Sequence, residues 1–513
     1  MPSTLDFCPF KHILRLMKIN ITNQESTDFL GDIIIINLFE GVRTPGGATS
    51  TMDKALSGII SKLIRKGELS GKLGETVIVH TFGRIKADKV LIVGLGKAND
   101  LNVEQIRKAA GAAIKRARKA GARKVGTIAH GAGIGGIEPK QAAQALTEGS
   151  LLASYEFKKY KKSDKKPITH LSIVETDRRK IPKFKKGAET GTILAQKQNI
   201  ARDFINEPGN NLTPEKLELK LKKTIKTLGL TKTIQYQVLK KKDLETLRMG
   251  ALMSVARGSN NKPAFIVLRY KNARKPLTCL IGKTVTFDSG GISLKSPAGM
   301  GLMKGDMSGG AAVIGTTLAL AKAKIRVNLM TIIPAVENMP SGTASRPGDV
   351  VTAMNKKSIE IISTDAEGRM TLADAICYAE QKKARTIIDI ATLTGGCVVA
   401  LGNVAAAVMG NDQRLIDLLL SCAEKTGEKM WQLPLFKEYE KQIKSDIADV
   451  KNSGGRGASA ITAGLFLKKF VDKAQWVHID MAGKEISEEE SFYTPKGGTG
   501  YGVRTLFELV QKL

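Results

Sequence analysis

The stretch that decides the fold of the longer part of the chain runs Ile281-Gly282-Lys283-Thr284-Val285-Thr286-Phe287-Asp288-Ser289-Gly290-Gly291. Its central residues are apolar or small, which predicts a buried strand, and the glycine pair predicts a turn at its end. Lys283 within this strand and Asp288 at its end are charged groups in an apolar setting. Both therefore need partners, since an unpaired buried charge is costly.

A second polar stretch, Ser363-Thr364-Asp365-Ala366-Glu367-Gly368-Arg369, follows a strand predicted at residues 359–362. If the extended conformation persists, Asp365, Glu367 and Arg369 share one face, because alternate residues of a strand point the same way. Thr371 and Asp374 then predict a capping box that begins a helix at residues 372–380. The carboxyl ends of strands are where open α/β sheets place their ligands, so these side chains predict a site.

Four carboxylates are predicted to meet in one pocket, together with one lysine: Asp288, Asp306, Asp365, Glu367 and Lys283. Taken singly, each is better explained as a salt-bridged core charge or a turn carboxylate. Taken together, four anions in a dry place repel one another unless cations neutralise them. Two divalent metals suit such a set, since carboxylates bridge metal pairs. The five histidines are scattered without ligand spacing, and His478 is predicted to be structural.

The domain organisation follows from the pattern around these stretches. Short Val/Ile-rich runs alternate with helical stretches up to about residue 185, which is typical of an α/β domain with a largely parallel sheet. We predict two α/β domains, the smaller at the N-terminus and the larger, with a central mixed sheet, at the C-terminus. The predicted divisions are an N-terminal extension at 1–16, an N-terminal domain at 17–185, a linker helix at 186–205 and a catalytic domain at 206–513.

The composition of the 513 residues is globular and fits two domains. No apolar run approaches the ~20 residues of a membrane helix, so no membrane partner is expected. Five scattered cysteines without a CxxC pair predict buried thiols in a reducing compartment, hence a cytoplasmic protein.

The positive charge is concentrated toward the N-terminus. Residues 1–190 hold 34 Lys or Arg against 18 Asp or Glu, a net charge of +16 out of +31 for the chain. The densest stretch is residues 158–186. Such a field attracts polyanions such as nucleic acid. A solvated lysine-rich surface explains it better, because no aromatic interleaving or nucleic-acid motif accompanies it.

Two glycine motifs resemble nucleotide sites. Gly131-Ala132-Gly133-Ile134-Gly135-Gly136 fits GxGxxG after a strand, but no acid follows at the end of a second strand ~20 residues on. Gly282-Lys283-Thr284 has Leu277 where a phosphate loop needs glycine. Strand-to-helix turns are the better interpretation of the first motif, and a nucleotide-binding oxidoreductase remains a weak alternative.

The strings TFDSGGISLK, MKGDMSG and TDAEGRMTLADA resemble the leucyl (cytosol) aminopeptidase family at seven functional positions. Similarity continues through residues 389–395 and 478–483, and the front domain resembles the family's macro-domain-like part more weakly. The resemblance implies a homohexamer with two zinc or manganese ions in each subunit. It also implies hydrolysis of N-terminal, preferably leucine-like, residues from peptides, and for bacterial relatives an additional DNA role.

The resemblance also assigns roles to residues. One metal would be held by Lys283, Asp288, Asp306 and Glu367, and the other by Asp288, Asp365 and Glu367. Lys283 would ligate as a neutral amine, which requires its pKa to fall far below ~10.4. Lys295 would polarise the scissile carbonyl, and Arg369 would anchor a bicarbonate. The substrate side chain would be lined by Met303, Thr392, Leu393, Gly395 and Ala482.

Overall fold

A computed structural model describes residues 17–133, 135–161 and 166–513. The predicted extension at 1–16, Ile134 of the glycine motif and residues 162–165 of the lysine-rich stretch lie outside the described residues. The chain divides into two units. The first holds residues 17–196 and Glu489–Pro495, and the second holds Lys197–Glu488 and Lys496–Leu513. This division falls within one helix, Ile181–Asn206, and the domain boundaries drawn from the sequence stay a prediction.

The first unit is built on a sheet that is parallel except for one edge strand. Its described strands are β1 (Lys18–Asn23), β2 (Ile33–Leu38), β3 (Thr76–His80), β4 (Lys89–Gly94), β5 (Lys124–Ile128) and β6 (His170–Glu175). They lie in the order β1-β6-β5-β2-β4-β3, with β3 antiparallel to β4. The apolar run that opens β2 is buried, as expected of a parallel strand covered on both faces. The alternation of strands and helices predicted this sheet, although β1 was not predicted.

Helices cover this sheet: α1 (Gly47–Ala55), α2 (Ile59–Arg65), α3 (Val103–Lys119), α4 (Pro139–Ala153) and α5 (Ile181–Asn206). A capping box begins α3, because the Asn102 side chain accepts from the backbone of Gln105 while the Gln105 side chain accepts from the backbone of Asn102. The predicted linker helix lies inside α5.

The second unit has a larger, mixed sheet. Its described strands are β7 (Gln235–Leu239), β8 (Ala264–Lys271), β9 (Thr278–Gly282), β10 (Thr284–Asp288), β11 (Asn328–Asn338), β12 (Val350–Thr352), β13 (Ser358–Glu360), β14 (Thr386–Ala391), β15 (Ala406–Gly410), β16 (Met430–Gln432), β17 (Val450–Lys451), β18 (Gln475–Asp480), β19 (Ile486–Ser487) and β20 (Gly497–Gly498). The main sheet runs β16-β15-β18-β14-β9-β11-β8-β7, and β10 pairs with β11 off this path. Its centre, β18, β14, β9 and β11, is parallel, whereas β15 and β8 join antiparallel.

The helices of this unit follow in chain order: α6 (Pro214–Thr227), α7 (Lys241–Thr246), α8 (Gly250–Ala256), α9 (Ser308–Lys322), α10 (Glu367–Gln381), α11 (Gly395–Leu401), α12 (Gln413–Thr426), α13 (Ser459–Lys468) and α14 (Val503–Lys512). A short 3-10 helix, Met300–Gly305, precedes α9. Both α9 and α10 are buried almost throughout, which accounts for the alanine-rich sequence of α9. The predicted class, two α/β domains with a mixed sheet in the larger one, is confirmed.

One sequence prediction about the stretch at residues 281–291 needed correction. Residues 281–291 are not one strand, because β9 ends at Gly282 and β10 begins at Thr284, each paired separately with β11. Lys283 occupies the break between them, where its backbone N–H bonds to the carbonyl of Ile390 in β14 and its carbonyl accepts from the N–H of Gly310. The break lets the lysine side chain leave the sheet toward its carboxyl edge.

The cysteine prediction is confirmed for the described thiols, since Cys279, Cys377, Cys397 and Cys422 are free and buried. Cys8 lies outside the described residues. Within the described residues, no helix combines the length and the apolar character that crossing a membrane requires.

Candidate active site

The carboxyl ends of the central strands bring the predicted residues together. Lys283 follows β9, Asp288 ends β10, Asn338 ends β11, Thr392 follows β14 and Asp480 ends β18. In an open α/β sheet this edge is where a ligand meets side chains from several strands. The site therefore lies where the topology of the second unit predicts it.

Lys283 forms the buried base of the site. Its Nζ lies 2.7 Å from Asp306 Oδ1 and 2.7 Å from Glu367 Oε1, and it donates to the carbonyl oxygen of Thr392 at 2.8 Å. The side chain is only 3% exposed. Gly368 makes room for it, because a Cβ at that position would stand 2.5 Å from Lys283 Cε. The lysine is thus enclosed by two carboxylates, a carbonyl and a glycine.

The charge of Lys283 follows from these partners. Burial acts to lower its pKa, but the carboxylates of Asp306, Glu367 and Asp288 outweigh it and raise the pKa above its ordinary range. In the structure the amine is therefore an ammonium. The neutral, ligating amine implied by the family resemblance requires other positive charge at the same carboxylates.

A second lysine bridges the other side of the cluster. Lys295 Nζ lies 2.9 Å from Asp288 Oδ2 and also pairs with Asp365. The other oxygen of Asp288 accepts from the backbone of Gly290 and from Asn338 Nδ2, both at 2.8 Å. Gly290 has a φ of +87°, which a glycine adopts without strain. Asp288 is thereby fixed in orientation.

The carboxylates themselves form the donor set for a cation. One oxygen each of Asp288, Asp365 and Glu367 lies within 4.8 Å of the others, the one such cluster of potential ligands among the described residues. Asp306 Oδ2 is buried without a hydrogen-bond partner. Burial raises the pKa of Asp306, and burial together with Asp288 raises that of Asp365 to about 6. Clustered carboxylates with an unpartnered buried oxygen fit divalent cations, which would neutralise this repulsion.

The route by which Asp365, Glu367 and Arg369 reach the site differs from the sequence prediction. β13 covers Ser358–Glu360, and α10 begins at Glu367, so these residues do not share a strand face. A turn carries Asp365, and the first turn of the helix carries Glu367 and Arg369. They converge because the turn and the helix start face the same edge, not because of alternation.

The predicted capping box at Thr371 is also wrong. The helix starts four residues earlier, and Thr371 Oγ1 donates to the carbonyl of Gly368 at 2.8 Å inside it. Asp374 instead accepts from the backbone N–H groups of Leu252 and Met354, both at 2.8 Å, which ties α10 to its neighbours. Burial of α10 against the core overrides the local start signal.

Arg369 is buried at the edge of the cluster. Its Nη1 donates to the carbonyl of Asn452 at 2.8 Å, and its Nε has no hydrogen-bond partner. Burial lowers its pKa to about 10, so it remains a cation at neutral pH. A guanidinium with an unused donor can bind an additional anion.

The predicted substrate-lining residues occupy three segments. Thr392 Oγ1 donates to Asp306 Oδ1 at 2.6 Å, so this residue also orients a carboxylate. Leu393 is partly buried, and Gly395 begins α11 with open space beside it. Ala482 packs on a cluster around Cys397, and Met303 lies half-buried in the 3-10 helix.

Sequence reasoning missed three positioning residues. Asn338 holds Asp288, which lies opposite it in the parallel register of β10 and β11, and no sequence signal pairs the two residues. Asp480 accepts from the backbone of Leu393 and Ala482 and, at 2.6 Å, from Thr394 Oγ1, which fixes the loop after β14. Gly368 was quoted as part of a motif without a role.

His478 was predicted to be structural, and it lies within β18. Its Nδ1 bonds to Asp389 Oδ1, and Asp389 Oδ2 accepts from Trp476 Nε1 at 2.6 Å. Asp389 raises the pKa of His478 against the lowering effect of burial. These bonds join β14 and β18, whereas the other ring nitrogen of His478, Nε2, is buried without a hydrogen-bond partner.

The chain is similar to known proteins along most of its length. Residues 199–507 match the model of the cytosol aminopeptidase family, catalytic domain, and residues 35–164 match that of the family's N-terminal domain. A probable cytosol aminopeptidase of Alkaliphilus oremlandii is 42% identical over 502 residues, 97% of this chain and 100% of the relative. One from Geotalea uraniireducens is 44% identical over 469 residues, 90% and 93% of the two chains.

Solved structures agree as well. A mutant of tomato leucine aminopeptidase superposes with a TM-score of 0.87 at 34% identity, covering 97% of both chains. The structure of the bottromycin maturation enzyme BotP in complex with Mn superposes with a TM-score of 0.83 at 31% identity, covering 94% of this chain and 99% of that one. The chain therefore belongs to the cytosol aminopeptidase family and is a hydrolase, a metal-dependent aminopeptidase.

Proposed function

We propose that the carboxylate cluster binds two divalent cations, Mn or Zn, and that the site releases leucine-like N-terminal residues from peptides. The observation that carries this proposal is the buried Asp306 Oδ2, which lacks a partner beside the cluster of Asp288, Asp365 and Glu367. A buried carboxylate oxygen without a donor is costly, and a cation is the partner that suits four acids at once.

The donor set divides into two groups, as the family resemblance implies. Lys283, Asp288, Asp306 and Glu367 would hold one cation, and Asp288, Asp365 and Glu367 would hold the other. When bound, such cations supply Lewis acidity toward a peptide carbonyl and lower the pKa of water. Asn338 and Thr392 support this assignment, because they orient Asp288 and Asp306 by hydrogen bonds of 2.8 and 2.6 Å.

Two cationic side chains of the site, Lys295 and Arg369, remain to be assigned. Lys295 would act on the substrate, and Arg369 would hold the group that takes up a proton. Lys295 shares its ammonium between Asp288 and Asp365, and cations on those oxygens would compete with it. It would then donate to the carbonyl oxygen as negative charge develops there. Arg369 keeps its proton, so it cannot serve as a base, and its unused Nε would hold a bicarbonate, which would supply a proton acceptor.

The preference for leucine-like residues rests on the lining. Met303, Thr392, Gly395 and Ala482, with Leu393 beside them, offer mostly apolar or small surface for the N-terminal side chain. Burial of an aliphatic side chain there contributes through the hydrophobic effect, about 0.8 kcal/mol for each methylene.

The assembly and location are proposed from the relatives. The resemblance supports a homohexamer, and the cytosol aminopeptidase names of the relatives support a cytoplasmic enzyme.

Activity measured after the metals are removed by chelation and added back tests the main proposal. The chelated protein should lose hydrolysis of leucine amide and recover it when Mn or Zn is added back. Asp365→Ala and Lys295→Ala should each abolish hydrolysis in the metal-loaded protein while the circular dichroism spectrum stays that of the wild type. Asp446→Ala, a change of an exposed aspartate, is the matched control and should remain active. Full activity in either site variant would contradict the assigned roles.

A second function, DNA binding, is favoured by one observation, the net charge of +16 on residues 1–190. Lys and Arg side chains on that domain would release counterions from the phosphate backbone. Binding to duplex DNA should therefore weaken steeply between 50 and 200 mM salt, by about a thousandfold for six or more phosphate contacts, and should survive chelation. A binding constant that does not change with salt would discard this function.

A further inference from the structure

Glu485 is a partly buried residue whose carboxylate the proposed mechanism does not use. It lies between β18 and β19, three residues after Ala482. Its backbone is fixed, because its carbonyl accepts from the N–H of Thr499 at 3.0 Å. Its side chain therefore projects from a defined position beside the proposed substrate lining.

The carboxylate of Glu485 is incompletely paired. Its Oε2 is buried without a hydrogen-bond partner, and among the described residues no Lys, Arg or His forms an ion pair with it. Burial raises the pKa of the Glu485 carboxyl, although the nearby backbone N–H groups of Glu485 and Gly483 act to lower it. Such a group is costly in the folded protein, since nothing cationic compensates it at contact distance.

The surroundings of Glu485 are the segments that line the substrate side chain. Its Cγ would stand 3.6 Å from a Cβ on Gly305, the last residue of the 3-10 helix that carries Met303. Burial raises the pKa of the Cys397 thiol in α11, the helix that begins at Gly395, and the charge of Glu485 raises it further. The carboxylate thus lies among the same three segments as Met303, Gly395 and Ala482.

Among the described residues, two lysines act electrostatically on this carboxylate, and the ammonium group of each has other contacts. Lys283 acts on it electrostatically, but the ammonium of that lysine already contacts Asp306 and Glu367. Lys484, its neighbour in sequence, donates to the carbonyl of Asn403 at 2.7 Å. The negative charge of Asp480 repels the Glu485 carboxylate and acts to raise its pKa. The Oε2 atom of Glu485 is thus an acceptor with which a cation supplied by a ligand can pair.

We propose that Glu485 is a specificity-determining residue that recognises a lysine or arginine side chain at the N-terminus of the peptide substrate. This inference rests on the proposed function and deepens it. The aliphatic stem of Lys or Arg would occupy the apolar lining that also accepts leucine, and its charged end would reach the carboxylate. An ion pair formed in a desolvated place favours substrates that carry the matching charge over isosteres that lack it.

Matched substrates test the inference. Lysine amide and norleucine amide share the same stem and differ in the ammonium group, and arginine amide and citrulline amide differ in charge in the same way. The metal-loaded wild type should show kcat/KM at least threefold higher for lysine than for norleucine, and for arginine than for citrulline. If kcat/KM of the wild type is lower for lysine amide than for norleucine amide, the inference is overturned without any variant.

Variants then place the preference on Glu485. Glu485→Gln should lower the lysine-to-norleucine ratio of kcat/KM at least tenfold, and Glu485→Met should reverse the preference. Glu488→Gln removes the same charge from an exposed position nearby and should keep the wild-type ratio. Melting temperature and metal content, measured for each variant, separate a changed preference from a damaged site.

The outcomes distinguish the two proposals. If wild-type protein supplied with Mn or Zn hydrolyses none of these amides, the proposed function fails and the inference fails with it. If it hydrolyses them but Glu485→Gln leaves the ratio unchanged, the inference alone is overturned.

Discussion

Gly368→Ala tests the packing of the buried lysine, the feature that holds the site together. The new Cβ would stand 2.5 Å from Lys283 Cε and 2.7 Å from both its Cδ and its Nζ. Ordinary carbon contacts begin at about 3.5 Å, so the lysine side chain must move by about 1 Å. It has little freedom to do so, because its Nζ is held at 2.7–2.8 Å by Asp306, Glu367 and Thr392.

The change in the free energy of unfolding caused by Gly368→Ala is the sum of opposing effects. Alanine inside a helix is favoured over glycine by about 1 kcal/mol, which would stabilise α10 if space were available. Overpacking costs about 1–3 kcal/mol, and weakening a buried ion pair costs more, up to about 3–5 kcal/mol for complete loss. We expect a net destabilisation of about 2 kcal/mol. A misplacement of about 1 Å in a catalytic site should also lower kcat/KM about a hundredfold.

The assay is leucine amide hydrolysis by protein reconstituted with Mn or Zn, with metal content and urea denaturation measured on the same samples. Gly342→Ala is the matched control, since a Cβ there meets nothing within 4 Å. A Gly368→Ala protein with wild-type kcat/KM, full metal content and increased stability would refute the reasoning, because the helix effect alone would then have acted.

Two further predictions concern the pH dependence of stability and the support of the metal ligands. Burial lowers the pKa of His130 from 6.5 to about 4, so the unfolded chain takes up a proton first as the pH falls. The contribution of His130 to the free energy of unfolding should be complete above about pH 6.5 and should fall by up to about 3 kcal/mol toward pH 4. Urea denaturation at both pH values should show a smaller loss of unfolding free energy for His130→Gln than for His80→Gln, a control change of an exposed histidine. Asn338→Ala removes the Nδ2 donor shared by Asp288 Oδ1 at 2.8 Å and the carbonyl of Thr364 at 3.0 Å, and metal titration should show affinity about 10–100-fold weaker. Unchanged affinity in this variant would mean that Asp288 keeps its orientation without Asn338.

The sequence by itself was sufficient for the chemistry of the site and the class of the fold. A lysine among apolar residues, and acids placed after predicted strands, indicate a metal site because such charges are costly without partners. The alternation of Val/Ile-rich runs with helical stretches predicted the α/β units because hydrophobic periodicity is encoded locally.

Only the tertiary structure decided how those residues meet. The break at Lys283 and the start of α10 at Glu367 depend on pairing with β11 and burial of the helix, which local propensity does not contain. Likewise, the roles of Asn338, Gly368 and Glu485 come from contacts between segments far apart in the chain. A sequence specifies which groups can ionise or ligate, whereas the packed structure determines which of their atoms are left without a partner.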